Sequence, residues 1–164
     1  TILGSGHINF MSTSISIDPK TYNFSSEDDT LSFARDFAGT VEPGDIILLE
    51  GDLGAGKTAF ARAVIQKLNN NPDMAVPSPT FTLVQTYDSP KMEIWHFDLY
   101  RLGDPEEIFE IGWEEALSGP LVLVEWPDRL GPYKPENAIT ISLETTGNSP
   151  DARILTIKQA IKQD

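Results

Sequence analysis

The chain of 164 residues carries 12 Lys and Arg against 25 Asp and Glu, a formal net charge of −13, and contains no cysteine. That charge excludes a surface built to collect nucleic-acid phosphates unaided, and the missing cysteines exclude disulfides and thiolate metal sites. With His7 and His96 as its two histidines, the chain cannot build a zinc site from imidazole alone. No apolar run approaches the roughly 18 residues of a membrane span, so a cytoplasmic protein with no membrane partner is expected.

A chain of this length suits one domain. Residues 1–10 are polar, aperiodic and precede Met11, and are expected to be an extension outside the fold, with residues 11–164 forming the single domain. Ser25 or Ser26 followed by Glu27, Asp28 and Asp29 marks a helix start, because a hydroxyl can cap free amides and the acids suit the positive end of the dipole. Leu31, Ala34, Phe37 and Ala38 form its apolar face, and Gly39 its stop. After a turn at Pro43 and Gly44, residues 46–49 are short, apolar on both faces and rich in isoleucine, as a strand inside a largely parallel sheet should be.

A glycine-rich loop over residues 51–58 follows directly, and then a helix with Phe60, Ala61, Val64, Ile65 and Leu68 at helical spacing, ended by an asparagine cluster and Pro72. Residues 81–87 and 92–98 read as an antiparallel hairpin. Asp104 and Pro105 open a helical segment that Gly112 interrupts and that ends near Pro120. Residues 121–124 form another buried strand, and residues 138–144 and 153–158 a second hairpin. The fold class expected is α/β: a three-layer sandwich of the P-loop NTPase type, with a mixed, mainly parallel central sheet and an antiparallel hairpin.

Gly51, Asp52, Leu53, Gly54, Ala55, Gly56, Lys57 and Thr58 satisfy G-x-x-x-x-G-K-[ST]. Each fixed position has a physical task. The glycines permit backbone conformations that turn consecutive amides toward phosphate oxygens. The helix start adds its dipole, Lys57 can set its ammonium on the β and γ phosphates, and the Thr58 hydroxyl can ligate magnesium. Buried strand before and amphipathic helix after are the context this motif requires.

Such a site also needs an acid at a neighbouring strand end. Glu125 ends a fully apolar strand and is preferred for the ion; Asp98 ends a weaker version of the same pattern. The segment Pro77, Ser78, Pro79, Thr80 carries hydroxyls that could reach the γ-phosphate or the ion, as switch loops do. His96, inside a strand, reads as a packed core histidine rather than a base. Trp126 either lies against the nucleotide or anchors its loop through Pro127.

The loop at 51–58, the run Ser78-Pro79-Thr80-Phe81-Thr82-Leu83-Val84, the run His96-Phe97-Asp98-Leu99-Tyr100-Arg101-Leu102 and the run Val124-Glu125-Trp126-Pro127 resemble, in order and spacing, the TsaE family. Its members are small P-loop ATPases of bacterial tRNA threonylcarbamoyladenosine synthesis. The resemblance implies a magnesium-dependent ATP hydrolase that binds the TsaB–TsaD heterodimer and supports modification of adenosine 37 without performing the transfer, reaching tRNA only through that complex. A monomer is expected when the chain is alone. The resemblance also implies roles: Lys57 and the loop amides on phosphates, Thr58 and Glu125 on magnesium, Asp98 in hydrolysis, Thr80 in a switch-like segment, Trp126 near the nucleotide and Thr30 beside the adenosine portion.

Ala59 departs from the second hydroxyl residue many members carry, and leaves Thr58 intact. Three other readings use the same loop. A small-molecule kinase would need lid arginines, for which Arg101 and Arg129 stand in suggestive loops. A GTP switch would use Asp128-Arg129-Leu130-Gly131 as D-x-x-G but lacks an N-K-x-D motif. A non-catalytic module would use nucleotide only to order a docking surface.

Overall fold

The computed structural model describes residues 17–159; the expected extension over residues 1–10 lies outside the described residues. Seven strands form one sheet in the order β1-β7-β6-β2-β5-β4-β3. They are β1 Ile17–Phe24, β2 Ile46–Glu50, β3 Val84–Asp88, β4 Glu93–Asp98, β5 Leu121–Glu125, β6 Ile139–Thr145 and β7 Arg153–Gln159. At the centre β6, β2, β5 and β4 run parallel, and antiparallel partners flank them: β7 then β1 on one side, β3 on the other. This is the mixed α/β sheet the sequence implies, including both hairpins.

Strand alternation divides the core in two. Ile47 and Leu49 of β2, Leu121 and Leu123 of β5 and Ile139, Ile141 and Leu143 of β6 face helices α1 Glu27–Ala38 and α2 Lys57–Leu68. The opposite residues, Ile46, Leu48, Val122 and Val124, pack with Trp95 and Phe97 against Ile108, Trp113 and Leu130. There the cover is a 3-10 segment Pro105–Ile111, the short helix α3 Trp113–Ala116 and a kinked 3-10 stretch Pro127–Tyr133. A side chain at Gly112, where φ is 92°, would come within 2.9 Å of the Trp95 ring, so this break between the two helical pieces needs glycine. Ser26 caps α1 by accepting the Asp29 amide at 3.1 Å, as its hydroxyl and the following acids imply. Among the described residues no helix is long and apolar enough to cross a membrane.

Two elements differ from expectation. β1 was not anticipated: Pro19 and alternating polar residues mask it, and the register slips between Ile17 and Lys20, which an edge strand tolerates because its outer amides need no partner. The first hairpin strand begins at Val84 rather than residue 81, because residues 80–82 form a turn in which the Leu83 amide donates to Pro79 O at 2.7 Å.

Candidate active site

The parallel strands β2, β4 and β5 deliver Gly51, Asp98 and Glu125 to the same edge of the sheet, the usual place for ligands in open α/β sheets. Gly51 must be glycine on steric grounds: an added Cβ would lie 2.6 Å from the Leu143 carbonyl oxygen of β6. The loop then closes on itself, Ala55 N–H donating to Asp52 O at 3.0 Å, and reaches α2 through Gly56, whose φ of 110° starts the helix with no side-chain cap. Uncapped first-turn amides are a ready anion seat.

Lys57 curls back across this seat. Its Nζ donates to Gly51 O at 2.6 Å and Asp52 O at 2.9 Å and stands 4.1 Å from the Trp126 ring centroid. Burial lowers its pKa from the usual 10.5, opposed by the nearby charges of Glu125, Asp98, Asp52 and Asp128. The ammonium is therefore held in the cradle by two backbone carbonyls.

Behind Lys57 the two acids take different partners. Strand alternation puts His96 and Asp98 of β4 and Glu125 of β5 on the α2 face, and Asp98 and Glu125 are register partners. Glu125 Oε1 accepts the Thr58 hydroxyl at 2.8 Å, and Oε2 lies 2.8 Å from His96 Nε2. Asp98 Oδ2 accepts Ser78 Oγ at 3.0 Å and Thr80 Oγ1 at 3.4 Å, while Oδ1 accepts the Tyr100 amide at 3.1 Å. Both carboxylates are buried, Glu125 at 2% exposure and Asp98 at 5%. The Pro77 to Thr80 segment is thus tied to Asp98, and this is why the first hairpin strand starts late: Leu83, at φ 70°, turns the chain and leaves Phe81 on the surface.

These groups enclose a cavity of about 270 Å³ lined by Gly54, Gly56, Lys57, Thr58, Thr80, Asp98, Glu125 and Trp126 together with Leu53, Ala59, Ser78 and Tyr100. Of the expected residues, Gly51 and Asp52 lie behind the cradle and touch Lys57 through their carbonyls, Leu53 projects from the loop tip, and Ala55 packs into the core. Thr30 is not in the main cavity. It lines a crevice of about 20 Å³ with Ala55, Gly56, Ala59 and Arg153 on the other flank of the loop, its hydroxyl donating to Ser26 O.

Among the described residues no group of three or more His, Cys, Asp and Glu could hold a metal by itself. Thr58 and Glu125 are hard oxygen donors of the kind magnesium takes, and two protein ligands suit an ion that keeps waters and phosphate oxygens for its remaining positions.

Three contributors escape a reading of the sequence. His96 does more than fill the core, since it touches Glu125; its placement two residues before Asp98 on one strand face was the available signal. Tyr100 packs on Trp126 at 5.0 Å across the cavity wall. Arg153, from β7, donates through Nε to Ala55 O at 2.7 Å and through its terminal nitrogen to Gly54 O at 3.4 Å, and nothing in the local sequence signals a contact 98 residues away.

Fold and site together define a mixed α/β protein organised around a strand, a glycine-rich loop and a helix, with two acids on adjacent strand ends. The family model described as "Threonylcarbamoyl adenosine biosynthesis protein TsaE" matches residues 24–154, and the chain belongs to that family. It is 48% identical over 119 residues to the TsaE protein of Rickettsia bellii, covering 73% of this chain and 82% of that one. It is also 35% identical over 122 residues to the TsaE protein of Bacillus subtilis, covering 74% and 75%. The crystal structure of YdiB from Bacillus subtilis superposes with a TM-score of 0.69 at 25% identity, covering 90% of this chain and 89% of the other.

Proposed function

We propose that the cavity binds ATP with magnesium and hydrolyses it, and that the chain thereby supports threonylcarbamoyl modification of adenosine 37 of tRNA through a TsaB–TsaD heterodimer, in the cytoplasm. The observation that carries this reading is the Thr58 hydroxyl meeting Glu125 at 2.8 Å, at the head of α2 and beside Asp98. A phosphate cradle needs a hydroxyl and an acid together to seat the ion of a nucleotide, and a chance glycine-rich loop would not provide them.

In this reading Lys57 leaves the Gly51 and Asp52 carbonyls for the β and γ phosphates, and the free amides around Gly56 take the remaining phosphate oxygens. Thr58 and Glu125 would hold magnesium, which would supply neutralisation of the charge that develops on the phosphates. Asp98, the remaining cavity carboxylate, serves the water that attacks the γ-phosphorus. The bond to ADP breaks, and inorganic phosphate leaves. Ser78 and Thr80 fix Asp98 and sense the γ-phosphate through it. Thr30 and the crevice beside it flank the nucleoside end.

The lone chain is a slow catalyst on this account. Lys57 is the one cation among the cavity-lining residues; Arg101 stacks on Phe81 at 4.7 Å and Arg129 lies 5.6 Å from Tyr100. An arginine delivered to the γ-phosphate is worth roughly 10³- to 10⁵-fold in rate, so the partner complex is the natural source of acceleration. The same stacking disfavours a kinase, whose arginines would have to close over the transferred group. Calorimetric titration of ATP with and without magnesium tests the binding step: tight, magnesium-enhanced binding abolished in K57A supports the reading, and equal binding by K57A overturns it.

A further inference from the structure

The histidine inside the sheet carries a cost that packing does not explain. His96 is fully buried, with Ile94 before it and its register partner Leu123 both at 0% exposure, and its Nδ1 has no partner among the described residues. An apolar side chain would fill this place without an orphaned polar atom. The compensating contact is Nε2 to Glu125 Oε2 at 2.8 Å. Since Glu125 Oε1 already accepts the Thr58 hydroxyl, the carboxylate is held from two sides, by α2 and by β4. A carboxylate can only accept here, so the imidazole donates from Nε2.

We propose that His96 is a positioning residue for magnesium: it fixes the rotation of the Glu125 carboxylate so that Oε1 stays beside Thr58. This deepens, and rests on, the reading of Glu125 as the acid of the ion. Without His96, Oε2 would be a buried acceptor lacking its donor. The group would turn to share the Thr58 hydroxyl or another donor, and the ion would find its oxygen misplaced. Hydrogen bonds to a metal ligand from behind typically set metal affinity by about 10- to 100-fold.

The test is ATP affinity by calorimetry while magnesium is titrated, for wild type, H96F, H96N, H96Q and E125Q. Glutamine sets its amide nitrogen where Nε2 stood and keeps the donor to Glu125. Asparagine sets it where Nδ1 stood and does not reach. The expected result is a rise of about 10- to 100-fold in the magnesium needed by H96F and H96N, substantial recovery in H96Q, and unchanged ATP affinity in EDTA. Wild-type magnesium dependence in H96F, or equal behaviour of H96Q and H96N, overturns the proposal. The glutamine and asparagine pair carries the test if H96F does not fold. E125Q separates the two levels. If it leaves magnesium dependence intact, the underlying reading of Glu125 fails; if it shifts dependence while H96N does not, only the role of His96 fails.

Discussion

Asp98 and Glu125 are direct register partners at the ends of adjacent parallel strands, yet they bind different hydroxyls: Glu125 that of Thr58 on α2, Asp98 those of Ser78 and Thr80 on the preceding loop. Neighbouring acids with separate partners suit separate tasks. E125Q is expected to abolish the magnesium enhancement of ATP binding while leaving magnesium-free binding unchanged. D98N is expected to bind magnesium-ATP like the wild type and lose roughly 10²- to 10⁴-fold in single-turnover hydrolysis, the usual range for a residue acting on proton transfer. Calorimetry and rapid-quench kinetics on the two variants check the division.

Lys57 has opposite effects on stability and binding. Its pKa is lowered in the fold, chiefly by burial, from 10.5. The folded state therefore holds this proton less tightly than the unfolded chain, and the buried ammonium costs stability at neutral pH. That cost fades as pH rises through the interval from the lowered value to 10.5. Wild type should accordingly gain on K57M in thermal stability as pH rises toward that limit. At neutral pH, K57M should lose the thermal shift that ATP gives the wild type, because only a ligand bound to the folded state raises its melting temperature. Melting curves across pH, with and without ATP, measure both.

Arg153 spends its guanidinium on loop carbonyls rather than on an acid. Holding the Ala55 carbonyl fixes the peptide plane that carries the Gly56 amide at the head of α2. R153M is expected to weaken ATP binding about 10- to 100-fold, in line with charge-assisted hydrogen bonds worth roughly 1.5–3 kcal/mol. R153K, with one nitrogen in place of a fork, should recover only part of it. Titration calorimetry reads the effect, and wild-type affinity in R153M would remove Arg153 from the site.

The strand, loop and helix around residues 51–58 were legible because each step is local: an apolar run, glycines, then helical spacing. Both acids were legible for the same reason, as polar ends of apolar strands. Distance in sequence hid the rest. Arg153 reaches the loop from the last described strand, and His96 meets Glu125 only because β5 lies beside β4. Local propensity also misled at residues 81–83, where β-forming residues leave the strand because Ser78 and Thr80 are drawn onto Asp98. β1 stayed hidden behind Pro19, which is acceptable at a sheet edge and unexpected within a strand.

In the proposed function this cavity hydrolyses ATP and does so for other proteins. Phosphate release from magnesium-ATP, measured for the chain alone and with a purified TsaB–TsaD pair, tests it most directly. Slow release alone, marked acceleration by the pair, and loss of both in D98N are expected. Rapid release by the lone chain that the pair leaves unchanged, or no release under either condition, would contradict it.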